Sequence, residues 1–153
     1  MDNMTLKERL REDLTTAIKA RDGLRSSTLR MVLTSITNAE VAGKESRELT
    51  DEDVLGVLTS ESKKRREAAE AFETGNRPEL AKRERAEGAV IDAYLPEQLD
   101  DDELRALVTA AIEESGASGP RAMGAVMKVA TARVAGRAEG GRVAAEVKRQ
   151  LAD

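Results

Sequence analysis

Apolar residues recur at intervals of three and four along almost the whole chain, the spacing that lines one face of an α-helix. Leu6, Leu10, Leu14, Ala17 and Ile18 form the first such stripe, opened by Thr5 with Glu8 three residues on, a capping-box arrangement. The pattern predicts a helix to about Arg21. Leu29, Val32, Leu33, Ile36 and Ala39 carry a second, which fades at Gly43 into a polar loop from Lys44 to Glu48. Thr50 with Asp53 reads as the next N-cap, and Val54, Leu55, Leu58, Ala68, Ala69 and Phe72 predict a long third helix stopped at Gly75 and Asn76. Pro78 suits the first turn of a fourth helix, with Leu80, Ala81, Val90, Ile91 and Tyr94 as its inner face and Pro96 at its end.

After Pro96 the helices shorten. Asp100 with Glu103 is another capping signature, followed by Leu104, Leu107, Val108, Ala111 and Ile112 on one stripe up to Ser115-Gly116. Gly119-Pro120 opens a sixth helix with the row Met123, Val126, Met127, Ala130 and Val134. The glycine-rich segment Gly136 to Gly141 separates it from a seventh, marked by Val143, Val147 and Leu151. The expected fold is therefore all-α. It has an N-terminal four-helix domain over residues 1–96 and a small C-terminal three-helix domain over residues 97–153, the latter marginal in stability by its size.

Composition narrows the chemistry. The 153 residues include no His, no Cys and no Trp, and Phe72 and Tyr94 are the only rings. Without imidazole or thiol, no Ser-His-Asp or Cys-His nucleophilic site, no Cys/His zinc cluster and no disulfide can be built. Asp100, Asp101, Asp102 and Glu103 cluster at a helix opening, where they favour the dipole rather than a metal ion. Ser26, Ser27 and Thr28 beside Arg25 and Arg30 lack the glycine-rich loops of an oxyanion hole. No catalytic residue, metal site or cofactor is therefore expected. No apolar run approaches the roughly 20 residues that cross a bilayer, and the charged N-terminus has no export signal. The expected location is the cytoplasm, with neither membrane nor DNA as partner.

Charge is uneven. Residues 1–115 hold 18 Lys+Arg against 26 Asp+Glu, whereas residues 116–153 hold 7 against 3, a net +4 in a chain of net −4. Arg121, Lys128, Arg133, Arg137, Arg142, Lys148 and Arg149 are thus either a positive face for phosphates or solvated helix faces. Of these, Lys128, Arg133, Arg137, Arg142 and Lys148 are the leading RNA-contact candidates. A second basic run, Lys63, Lys64, Arg65 and Arg66, is a weaker candidate, because Glu61/Arg65, Lys63/Glu67 and Arg66/Glu70 lie four apart and can neutralise one another. Two rings at apolar helix positions offer no platform for base stacking, so any nucleic-acid contact would run along the backbone of a folded RNA. The turn Gly136-Arg-Ala-Glu-Gly-Gly141 lacks the Lys-Ser/Thr ending of a P-loop and reads as a helix cap.

Several segments are specific enough to compare with known families. Arg21-Asp-Gly-Leu-Arg-Ser-Ser-Thr-Leu-Arg-Met31, Lys64-Arg-Arg-Glu-Ala-Ala-Glu-Ala-Phe72, Arg77-Pro-Glu-Leu-Ala-Lys-Arg-Glu-Arg-Ala-Glu87, Tyr94-Leu-Pro-Glu-Gln-Leu99, Met123-Gly-Ala-Val-Met127 and Gly136-Arg-Ala-Glu-Gly140 together resemble the GatB/YqeY family. The similarity spans nearly the whole chain, with Glu139 where the family usually carries Asp. The tail resembles the C-terminal domain of the B subunit of the glutamine-dependent aspartyl/glutamyl-tRNA amidotransferase. That resemblance implies a helical module associated with tRNA or a tRNA-handling complex. It also carries the label of a carbon–nitrogen ligase with glutamine as amide donor, although the chain shows neither a Mg·ATP cradle nor a glutaminase nucleophile. A third reading is a helical adaptor for another protein.

Overall fold

A computed structural model describes residues 3–116 and 118–152, and among these no strand occurs. Contacts group the chain into two compact units, Met1–Leu95 and Pro96–Asp153.

The first unit holds α1 (Leu6–Lys19), α2 (Gly23–Glu40), α3 (Asp51–Thr74) and α4 (Pro78–Asp92). Thr5 caps α1 by accepting from the Glu8 N–H at 3.1 Å. The helix stops two residues short of the expected Arg21, because Arg21 itself takes a left-handed φ of 57° and turns the chain into Asp22, the N-cap of α2. Thr50 and Asp53 form a reciprocal capping box, which satisfies two of the donors that a helix start leaves open. Asn76, at φ 59°, reverses the chain after α3, and Pro78 occupies the first turn of α4. The helix α4 ends at Asp92, earlier than the expected stop at Pro96. The core joins Leu10, Leu29, Val32, Ile36, Leu58 and Ile91 with Leu49, Val54 and Tyr94.

Two residues expected inside are outside. Ile18 is 49% exposed and Leu80 36%. Each sits next to a buried alanine, Ala17 and Ala81, and neighbours on a helix point about 100° apart, so one of each pair must face away. Here the smaller residue faces in, where adjacent helices pack closely.

The second unit holds α5 (Asp101–Ser115), α6 (Met123–Val134) and α7 (Gly140–Ala152). Asp100 and Glu103 form the capping box of α5, and Gly116 ends it at φ 65°. One 3-10 turn, Pro120–Ala122, precedes α6, so the expected helix start at Gly119-Pro120 becomes a tighter turn. Ala135 and Gly136, at φ 48° and 81°, then turn the chain back. The Leu99 N–H donates to the Arg137 carbonyl at 2.7 Å, which ties this turn to the start of the unit. Val108, Val126, Ala130, Val143 and Val147 are at the centre of an aliphatic core drawn from all three helices.

Candidate functional site

The serine hydroxyls and clustered carboxylates that would have to do chemistry are engaged within the fold. Ser26 Oγ donates to the Asp22 carbonyl at 2.7 Å and Ser27 Oγ to the Leu24 carbonyl at 3.1 Å, the helix back-bonding of an ordinary serine. Thr28 is fully buried and its hydroxyl has no partner. Asp100 and Glu103 cap α5, while Asp101 and Asp102 pair with Arg142 and Arg105.

The tail cations do not gather into one patch. Arg142 reaches Asp101 at 3.1 Å, and Arg137 donates to the Glu97 carbonyl at 3.0 Å with Glu103 4.0 Å away, so both converge on the start of α5. Arg133 instead pairs with Glu114 at 2.7 Å near the other end of that helix. Asp101 and Glu114 are thirteen residues apart, about 20 Å along the axis. Arg149 binds Glu146 at 3.0 Å. Arg121, Lys128 and Lys148 are exposed and make no ion pair among the described residues. Lys148 lies six residues beyond Arg142, about 120° round α7, and borders an apolar cleft of about 330 Å³ with Pro120, Met123 and Leu151. Counted over Pro96–Asp153 rather than the tail alone, 8 Lys+Arg face 10 Asp+Glu, a net −2, because α5 supplies the missing acid.

The basic run on α3 divides as well. Lys63 pairs with Glu67 at 3.9 Å, and Lys64, well exposed, with Glu61 at 3.0 Å. Arg66 is exposed and is not without a partner. Arg65 is turned inward, 8% exposed, and this removes it from the surface on which an RNA contact would need it. Its guanidinium binds the Glu61 carboxylate and carbonyl at 3.2 and 3.1 Å and the Met31 sulfur at 3.3 Å. Glu87 of α4 stands 3.6 Å from its Nε, close enough for attraction but beyond a hydrogen bond. A buried charge needs such company, since desolvation otherwise costs more than the pair returns.

Beside this node, α2, α3 and the loop between them enclose an open groove of about 520 Å³. Ser35, Asn38 and Ala39 form one wall, Asp53, Gly56, Val57, Ser60, Glu61 and Lys64 the other, and Arg47 and Leu49 close the loop side. Glu40 holds that loop in place, accepting from Lys7 of α1 at 2.8 and 2.7 Å and from the Leu49 N–H at 3.1 Å. The Lys7 ammonium is the main reason the Glu40 carboxyl titrates below its ordinary value, with the Leu49 N–H adding to it. Asp53 is lowered likewise, first by the Thr50 N–H and hydroxyl and then by Arg47. Sequence reasoning missed this groove. The signal was present in Asp53, Gly56, Val57, Ser60, Glu61 and Lys64, which share a helical face, but four of the six are polar and Gly56 adds no side chain, so the stripe carries little apolar signal.

A family model for YqeY-like protein matches residues 7–151, almost the full chain. The chain belongs to the YqeY-like family. An uncharacterized protein of Schizosaccharomyces pombe is 37% identical over 89 residues, 58% of this chain and 70% of that protein. Altered inheritance of mitochondria protein 41, mitochondrial, of Clavispora lusitaniae is 30% identical over 123 residues, 78% of this chain and 70% of its own length. The Lachancea thermotolerans protein of the same name is 35% identical over 88 residues, 56% of this chain and 46% of its own length, so the match spans less than half of that relative.

The YqeY-like segment Tyr94–Leu99 has a structural duty in each unit. In the first unit, the Tyr94 hydroxyl donates to the Asp13 carboxylate and accepts from Arg25 at 3.2 Å, with Arg9 5.5 Å over the ring. In the second, Gln98 donates to the Pro96 and Gly136 carbonyls at 3.0 and 3.2 Å, fastening the turn before α7. Among the described residues of this YqeY-like chain, no helix is long and apolar enough to cross a membrane.

Proposed function

We propose that the chain is a non-catalytic helical module that binds tRNA or a tRNA-handling complex, with the Pro96–Asp153 unit making the contact. The observation that carries this reading is the set of cations on that unit. Arg121, Lys128 and Lys148 are exposed and unpaired among the described residues, and Arg133, Arg137 and Arg142 are held by exposed carboxylates. Exposed pairs contribute about 0–1 kcal/mol, so a phosphate competes with the carboxylate for each guanidinium. The resemblance of the tail to the amidotransferase B subunit supports the same assignment. Bulk tRNA titrated at low and moderate salt tests it. Binding that weakens steeply with salt, and further with Lys128→Glu and Lys148→Glu, supports the module; no binding, or binding indifferent to salt, overturns it.

A second reading, a protein-binding adaptor, is favoured by the net −2 of that unit and by the arginines already turned onto α5. Recovery of a protein partner that survives nuclease would support it over RNA. The ligase reading requires the chain, with ATP and glutamine, to amidate a mischarged tRNA. We read the two compact units as separate four-helix and three-helix domains, and limited proteolysis near Leu95-Pro96 leaving two resistant fragments tests this. For location, the cytoplasm expected from the sequence stands against relatives named as mitochondrial, and fractionation of native cells distinguishes the two.

A further inference from the structure

The groove between α2 and α3 has three properties that its own unit does not require. Gly56 lies inside a long helix, where glycine weakens the structure relative to alanine, yet a Cβ built there meets nothing within 4 Å. No neighbour within the fold forces the glycine. Ser60, one turn on, and Ser35 and Ala39 across the groove are also small, so the floor admits a backbone at close range. The third property is charge. Each end carries an ion pair whose acid lies beneath its base: Arg47 is 65% exposed above Asp53 at 37%, and Lys64 70% exposed above Glu61 at 8%. Whatever enters the groove therefore meets two cations first. Asp53 and Glu61 are eight residues apart, about 12 Å along α3.

We infer that this groove docks an amphipathic helix of a partner protein that bears two carboxylates one heptad apart. Residues seven apart on a helix lie on the same face, about 10.5 Å from one another, close to the roughly 12 Å between Asp53 and Glu61, the acids on which the two cations sit. Between them, Leu49, Val57 and Ala39 offer an apolar floor to the partner's intervening side chains, the helix-in-groove mode of recognition. The loop wall is formed in advance, because Glu40 ties it through Leu49 to Lys7 on α1. An extended RNA strand gains little here: the floor has no ring to stack a base, and half of the α3 wall is carboxylate or small hydroxyl.

The test uses the full chain, isotope-labelled, and a short alanine-based helical peptide with two glutamates one heptad apart and leucine between them. The expected result is saturable movement of the amide signals of residues 35–39 and 53–64. The same peptide with glutamines in place of glutamates should bind about tenfold more weakly or worse, a loss of one decade in affinity. Gly56→Leu fills the groove where the fold leaves room, so this variant should melt no lower than the natural chain and lose the peptide. Gly56→Ala should keep it. Arg47→Gln with Lys64→Gln should reproduce the loss seen with the glutamine peptide. The proposal is overturned if the groove signals do not move, if a folded Gly56→Leu variant binds as well as the natural chain, or if an oligouridylate of similar charge moves the same signals at equal concentration. None of these readouts depends on tRNA binding by the other unit.

Discussion

Tyr94 is the single tyrosine of the chain, and burial is the main cause that pushes its hydroxyl up to about 12, with the hydrogen bond to Asp13 adding to the shift and Arg25 and Arg9 opposing it. A hydroxyl raised from 10.0 in this way stabilises the fold fully below pH 10 and loses that contribution as pH rises toward 12, because the folded state holds its proton more tightly than the unfolded one. With no tryptophan present, tyrosinate absorbance reports this one group. It should appear near pH 12 in the folded protein and about two units lower in urea, and Tyr94→Phe should flatten the alkaline loss of stability. Coincident curves in water and urea would contradict the burial of the hydroxyl. Thr28 poses the opposite problem, a buried hydroxyl with no partner at all. Replacing it by the isosteric Thr28→Val should raise stability by about 1 kcal/mol in denaturant melts, since an unmet buried donor costs that much or more. Periodicity placed Tyr94 on an inner face but said nothing of its partners, since Asp13 and Arg25 lie 81 and 69 positions away.

At the scale of the element, helix starts were the most legible feature. Thr5, Thr50 and Asp100 were readable because a cap needs only residues three positions apart, and all three cap in the structure. Inner faces were less so. Ile18 and Leu80 lost their expected places to adjacent alanines, a choice fixed by how closely the neighbouring helix approaches and therefore absent from one helix read alone. The basic run on α3 shows the same limit. The pairing of Glu61 with Arg65 follows from spacing, whereas the burial of Arg65 depends on Met31 of α2 and Glu87 of α4. This difference predicts unequal costs for adjacent cations. Arg65→Ala should destabilise by about 3–5 kcal/mol, since it empties the centre of the node and leaves Glu61 and Glu87 with only their exposed partners Lys64 and Arg83, while Lys64→Ala should cost about 0–1 kcal/mol. Thermal melts of the two variants separate these ranges, and equal losses would mean that Arg65 is not the centre of the node.

Across the whole molecule, the fold redistributes what the sequence concentrates. A tail of net +4 becomes part of a unit of net −2 once α5 folds onto it, and of the two readings left open for its arginines, one positive face or solvated helix faces, the single face is not formed: they divide between the two ends of α5. Linear counting cannot see this, because Asp101 and Arg142 are 41 positions apart. The same closure of carboxylates onto bases governs the acid limb of stability. Glu40, Asp53, Glu73 and Glu146 all titrate below their ordinary values, and hydrogen bonds to Lys7, Thr50, Arg85 and Arg149 are the respective leading causes. A depressed carboxyl contributes stability above its unfolded value, 4.5 for Glu and 3.8 for Asp, and that contribution disappears as pH falls through the lower folded value. With no histidine to titrate between, the melting temperature should hold nearly level from pH 8 to about pH 5 and then fall. Glu40 ties α1, α2 and the groove loop together, so Glu40→Gln should lower the neutral melting temperature and make the acid limb shallower, because the variant has already lost the group whose protonation removes the clamp. Glu146→Gln should do the same within the other unit, where its partners are Arg149 and Gln150. A variant whose neutral stability falls while its acid limb keeps the natural slope would show that the carboxyl serves by shape rather than by charge, and would move the source of acid sensitivity to other carboxylates.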